Sequence, residues 1–341
     1  MSSSYRFQLW FPLGILLLIS IVSCSSESSS SHSASVSSGE QVPRLIPVRL
    51  AAGEKLHVVA TTSIVADVVA QIAGENIDLV VLMPPGTDPH SFEPTPQDAA
   101  AIADAHVVFI NGIGLETFID PLLASAGQGI AVVSVSQGAD LLHLEEISAL
   151  QTDTTDHEEE THEHEGLYDP HVWFDPTQLV VWTHNIEAAL STLDPNHASA
   201  YHERAEAYRA RLEALHQWIV QQIAQIPEKR RVLVSDHVEL GYLARRYELR
   251  QVGAVIPGYS TLAEPSAQEM AALEDTIRSL GVRAIFVGRT VNPRLAERIA
   301  ADTGIQIVFL YTGSLSAPDG PAPTYEALMR YNVTAIVNAL R

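Results

Sequence analysis

The chain has a single cysteine, Cys24, among 341 residues. With no second thiol after Cys24, the folded part can hold no internal disulfide. Positive charge is scarce as well. Lys and Arg number 20 against 41 Asp and Glu, a formal net charge of -21, which argues against nucleic acid as a partner. No Lys or Arg occurs between Lys55 and Arg204. A half so depleted of cations attracts them. Near the N-terminus, the apolar run Leu9 to Val22 contains Pro12 and Gly14 and falls short of the roughly 20 residues that a spanning helix needs. Preceded only by Arg6, it reads as the apolar core of a secretory signal, residues 1–23.

Apolar residues make up 46% of the chain, and 341 residues suffice for two ordinary domains. The run Ile21-Val22-Ser23-Cys24 resembles the bacterial lipoprotein cleavage box. That resemblance implies lipidation of Cys24, a membrane anchor through the N-terminal lipid and an extracytoplasmic location. Residues 25–39 are mostly serine and cannot bury a core, so 24–52 is expected to be a tether. Within it, Pro43 to Ala52 either packs on the first domain or stays loose.

From Leu56 strand-like and helix-like runs alternate. Strands are expected at Leu56-Thr61, Ile77-Met83, His106-Ile110 and Ile130-Val135. Helices are expected at Ser63-Ile72, Gln97-Ala103, Glu116-Ala126 and Pro176-Leu193. Such alternation implies right-handed βα units and a parallel sheet. No Pro or Gly then occurs from Asn196 to Gln225. Asp194 as N-cap, Pro195 at the first helical position and Leu212, Leu215, Ile219 and Ile223 at helical spacing predict one long strut of about 45 Å. After Pro227 the alternation resumes. Strands are expected at Arg231-Ser235, Leu249-Ile256, Ala284-Val287 and Gln306-Leu310, with helices at Glu239-Tyr247, Ala267-Leu280, Pro293-Asp302 and Tyr325-Leu340. The expected fold class is α/β. It has an N-terminal lobe (53–193), a connecting helix (194–226) and a C-terminal lobe (227–341), with a cleft between the lobes suited to a ligand.

Histidines carry the chemistry. Asp88-Pro89-His90 follows a strand, in a loop stiffened by Pro89, Pro94 and Pro96, and the triplet returns at Asp169-Pro170-His171. His237 lies just past the first strand of the second lobe. All three fall at strand ends or element edges, where open α/β sheets place ligands. Neutral imidazole is a good donor for a transition metal, zinc foremost. A different group, His157, His162 and His164, sits in an all-polar segment from Asp153 to Gly166. That segment is expected to be a solvated loop holding zinc loosely. The other histidines read as surface or strand-start residues.

The combination of motifs resembles the metal-specific solute-binding lipoproteins of bacterial ABC importers, those for zinc and manganese. It rests on Pro85 through Asp98, Asn111-Gly112-Ile113-Gly114-Leu115-Glu116, Asp169 through Pro176, His237 with Gly241-Tyr242, Glu264-Pro265-Ser266 and Thr324 through Val333, and it covers about Leu56 to Leu340. The resemblance implies two lobes, each with a four-stranded parallel sheet, joined by one long helix. It implies metal ligands at His90, His171 and His237, with Zn2+ as cargo and Mn2+ as the alternative. It implies a permease and its ATPase as partners, in a monomer. A His- and acid-rich loop is typical of the zinc members, and some relatives are adhesins. One feature departs from the pattern. Glycine, Gly313, stands where many members have an acidic fourth ligand. The fourth position then falls to water or to Asp236, Glu239 or Asp319, with water preferred. A hydrolytic reading is weaker, because no His-Glu-x-x-His run occurs.

Overall fold

Two parallel sheets of the same strand order organise the computed structural model, which describes residues 45–127, 129–143 and 168–341. The first sheet comprises β1 (Leu56–Thr62), β2 (Ile77–Met83), β3 (Val107–Ile110) and β4 (Ala131–Ser134), ordered β2-β1-β3-β4. The second comprises β5 (Val232–Ser235), β6 (Arg250–Ala254), β7 (Ala284–Gly288) and β8 (Gln306–Leu310), ordered β6-β5-β7-β8. All registered pairs are parallel. In each sheet the chain moves to one side of its first strand and then crosses to the other, so each has a topological switch point beside β1 or β5. Val58–Thr62 and all of β5 are buried, as expected for central strands covered on both faces.

Local sequence sets the helix starts. Thr62 caps α1 (Ser63–Ala73) by accepting the Val65 N–H. Thr95 and Asp98 form a capping box on α2 (Pro96–Ala103), and α3 spans Ile119–Ala126. Asp175 accepts the Thr177 N–H at the start of α4 (Pro176–Leu193), with Pro176 at the first helical position. Ser266 and Glu269 repeat the capping box on α7 (Ala267–Leu280), and Thr324 caps α9 (Tyr325–Leu340). The remaining helices are α6 (Gly241–Tyr247) and α8 (Arg294–Thr303).

The long connecting helix, α5, spans Ala198–Ile223, and its 26 residues correspond to about 39 Å. It starts later than the sequence suggests. Pro195–His197 forms a 3₁₀ turn, and Asp194 does not cap a helix. Its carboxylate instead accepts Tyr201 Oη at 2.8 Å and His197 Nδ1 at 2.6 Å. Two other helices are also shorter than expected, because their leading acids are drawn elsewhere. Glu116 turns back onto the backbone of residues 111 and 112, and Glu239 is buried beside His237, its Oε2 3.5 Å from Nε2. The N-terminal lead-in packs rather than staying loose: the Val48 N–H donates to the Leu193 carbonyl at 2.8 Å, and Leu45, Val48 and Leu50 lie against the core.

Helix α5 joins the lobes by burying one stripe: Tyr201, Ala205, Tyr208, Leu212, Leu215, Ile219 and Ile223. This stripe packs on α1 and α4 from the first lobe and on α6 and α9 from the second. One continuous apolar cluster therefore runs from Val58 and Phe109 through Trp173 and Leu212 to Phe286 and Val333. Hydrogen bonds reinforce it across the lobes. Trp173 Nε1 donates to the Thr312 carbonyl at 2.8 Å, and Tyr325 Oη to the Trp173 carbonyl at 2.7 Å. Tyr242 Oη donates to the Asp169 carbonyl at 2.8 Å, and Arg246 Nε meets Asp175 Oδ2 at 2.7 Å.

Leu212 lies in this shared core and Glu213 on the solvent side of the same turn. Leu212→Ala is expected to lower unfolding stability by about 2–5 kcal/mol, and Glu213→Ala by less than about 0.5 kcal/mol. Urea unfolding of the two metal-free variants checks this, and equal midpoints would contradict the shared-core assignment.

Candidate metal centre

Three loops converge where the two sheets face each other. His90 follows β2. Asp88, two residues earlier, accepts the His90 N–H at 3.0 Å and so folds the loop. The other oxygen of Asp88 accepts Thr261 Oγ1 of the second lobe at 2.7 Å and Ser91 Oγ at 3.2 Å. His171 stands in the same relation to Asp169, whose Oδ1 accepts the His171 N–H at 2.9 Å and holds Nδ1 at 2.7 Å. The recurring Asp-Pro-His triplet is therefore one structural device used twice: the aspartate two residues ahead fixes the backbone of the histidine. His237 follows β5, and Asp236 beside it accepts both the His237 N–H and Nδ1 at 2.6 Å. Asp236 is itself held, accepting the Gly288 N–H at 2.6 Å.

A carboxylate on Nδ1 assigns the proton there and leaves Nε2 with its lone pair free. The three Nε2 atoms meet. His90 and His171 are 3.1 Å apart, and His171 and His237 are 3.3 Å apart. Ring centroids are separated by 5.1 to 5.2 Å, with the planes steeply inclined. Zinc–nitrogen bonds of about 2.0–2.1 Å in a tetrahedron place donors about 3.3–3.4 Å apart, so the triad has the dimensions of three ligands to one ion. His171 and His237 are 1% and 2% exposed. Burial, followed by the neighbouring rings, holds His90 down at about 2, and burial likewise holds His171 well below the usual imidazole range. The two rings thus stay in the neutral form that ligates metal.

A family description, zinc-uptake complex component A, periplasmic, matches residues 58–339. The chain belongs to this family. Membership makes it a metal-binding, substrate-binding protein of an ABC importer. Among family relatives, a manganese-binding lipoprotein, MntA, of Halalkalibacterium halodurans is 32% identical over 84% of this chain and 89% of its own. Among solved structures, the periplasmic zinc-binding protein TroA from Treponema pallidum superimposes with a TM-score of 0.72 at 27% identity, covering 84% of this chain and 99% of the other. A manganese-bound periplasmic protein from Candidatus Liberibacter asiaticus gives 0.70 at 25% identity, over 84% and 100%.

The remaining site residues divide into three groups. Cys24, His157, His162 and His164 lie outside the described residues. Asp319 is exposed, and Asp236 is fully engaged in orienting His237. Glu239 is buried, with Oε2 3.5 Å from His237 Nε2. The orienting carboxylates Asp169 and Asp236 were legible only as neighbours of the histidines. Asn111 and Glu116 had a motif but no assigned role. Asn111 Nδ2 donates to the Pro170 carbonyl at 3.0 Å, which fixes the peptide ahead of His171. The Asn111 turn has positive φ at Gly112, Ile113 and Gly114 in succession. Ile113 is β-branched and strained there. Glu116 secures the turn by accepting the N–H groups of Asn111 and Gly112 and the Thr61 hydroxyl.

The depressed His90 value has a consequence for stability. Its folded-state value of about 2 lies below the unfolded value near 6.5, so the neutral, partly buried ring contributes fully above about pH 6.5. The contribution is lost as pH falls from there toward the folded value. Between pH 6 and 4, the metal-free wild type is expected to lose about 1.4 kcal/mol per pH unit more than His90→Gln. Urea unfolding of both proteins at several pH values checks this, and parallel pH profiles would refute it.

Proposed function

We propose that this protein captures Zn2+ outside the cell with His90, His171 and His237 and passes it to a membrane permease driven by an ATPase. The observation that carries the reading is the approach of three Nε2 atoms, at 3.1 and 3.3 Å, from loops of both lobes. Three imidazoles make a nitrogen-rich donor set, which suits zinc better than manganese. Manganese is the alternative, supported by the manganese-binding name of the Halalkalibacterium relative, while the TroA name supports zinc. Capture also fits the burial of His171 and His237, since turnover would need an open face for substrate.

The protein sits on the outer face of the cell membrane, held by a lipid on Cys24, as suits a family whose relatives are named lipoproteins. Among the described residues no helix is long and apolar enough to cross a membrane. The division into lobes 53–193 and 227–341 around the connecting segment 194–226 is part of the same reading, as is action as a monomer. His157, His162 and His164 serve as a weaker collecting loop ahead of the tight site.

A competition titration with a chelator of known affinity tests the capture site. His90→Ala, His171→Ala and His237→Ala are each expected to weaken zinc binding by at least about 100-fold, more than the about 10–100-fold typical of losing a supporting partner. Wild-type affinity in all three variants would remove the assignment. Elemental analysis of the purified protein, with zinc and manganese in competition, decides the ion. Deleting residues 153–166 is expected to leave one tight zinc equivalent and abolish weaker binding. Calorimetry showing no weaker binding lost would refute the collecting role.

A further inference from the structure

We propose that Glu239 supplies a fourth, oxygen donor to the metal and replaces the carboxylate that Gly313 lacks. This rests on the reading of the three histidines as ligands. The side chain of Glu239 is fully buried, and neither carboxylate oxygen has a hydrogen-bond partner. Ionising a carboxyl in so buried a place is costly, and a cation beside it would offset that cost.

The other acids near the triad are committed elsewhere. Asp236 binds the ring and backbone of His237 and the Gly288 N–H. Asp88 binds His90, Ser91 and Thr261. Asp169 has one unpartnered oxygen, but its other oxygen holds His171 at Nδ1, the edge of the ring that faces away from the other two histidines. Glu239 is different in direction. Its Oε2 stands 3.5 Å from Nε2 of His237, the nitrogen that lies 3.3 Å from His171 Nε2. Donors in a tetrahedral zinc site are about 3.3–3.4 Å apart.

Oε2 groups with His237 and Asp236 but not within the tight triad of His90 and His171. Ligation therefore draws the carboxylate inward by rotation about the side-chain bonds. The position left by Gly313 cannot serve instead. A Cβ there would come within 2.7 Å of Pro89 Cδ, so the loop that carries His90 already fills the space. One carboxylate donor also neutralises half the charge of a divalent ion inside the buried centre. An oxygen donor widens the range of acceptable ions toward manganese.

The test combines chelator competition with urea unfolding on full-length wild type, Glu239→Gln, Glu239→Ala and His171→Ala. In Glu239→Gln and Glu239→Ala, zinc affinity is expected to fall by at least the about 10–100-fold typical of losing a supporting group. Metal-free Glu239→Gln is expected to unfold at the same or a higher urea concentration than wild type, because the buried acid is replaced by a neutral group of the same shape. The visible absorption of cobalt-loaded protein, which reports coordination, is expected to differ between wild type and Glu239→Gln. Three results would overturn the proposal. In the first, both Glu239 variants keep wild-type zinc affinity and cobalt spectrum while His171→Ala loses affinity, which leaves the histidine site standing with another fourth donor. In the second, Glu239→Gln loses stability together with affinity, which indicates a structural role. In the third, His171→Ala also binds like wild type, which removes the underlying site itself.

Discussion

Neutral imidazole nitrogens repel one another at close range, and the structure holds three of them within 3.1 and 3.3 Å of their neighbours. Everything around the centre serves that arrangement. Asp169 and Asp236 hold Nδ1 of His171 and His237, fix the tautomer and leave Nε2 directed inward. Burial keeps His90 and His171 uncharged. A divalent cation placed between the rings would relieve the repulsion by sharing the lone pairs.

The two lobes are joined more firmly than a hinge would allow. Helix α5 buries residues against both, and the apolar cluster is continuous from the first sheet to the second. Trp173 sits at the junction, bonded to the Thr312 carbonyl and accepting from Tyr325. Opening such an interface widely would expose buried aromatic surface and orphan several hydrogen bonds. The three histidines differ in their setting. His171 and His237 lie within the shared interior, whereas His90 is only partly buried, on a loop tied across the cleft by the Thr261–Asp88 hydrogen bond.

Donor chemistry explains how one fold can serve different ions. Relatives are named for manganese as well as zinc, and the scaffold is common to them. Nitrogen donors favour zinc, and each oxygen donor shifts preference toward harder ions. In this chain the scaffold brings three imidazoles together from loops far apart in the sequence, so the side chains carried at those positions set which donors face the centre.

Much of this was legible in the sequence. Strand and helix alternation, the boundaries of β2, α4, α7 and α9, and the buried stripe of α5 follow from apolar period and capping residues, which act locally. His90, His171 and His237 stood out through their positions beside strand ends. The starts of α3, α5 and α6 were misplaced because Glu116, Asp194 and Glu239 look like helix-opening residues, yet Glu116 bonds to Thr61 and the backbone of residue 111, Asp194 to the side chains of His197 and Tyr201, and Glu239 lies beside His237. The sequence alone thus determined the α/β class, the two-part layout and the histidines able to ligate, since these depend on periodicity and residue type. Only the tertiary structure decided that the three rings share one point, that Pro89 closes the space beside Gly313 and that Glu239 is left without a partner. Those facts arise where loops from both sheets meet, and local sequence does not encode that distance.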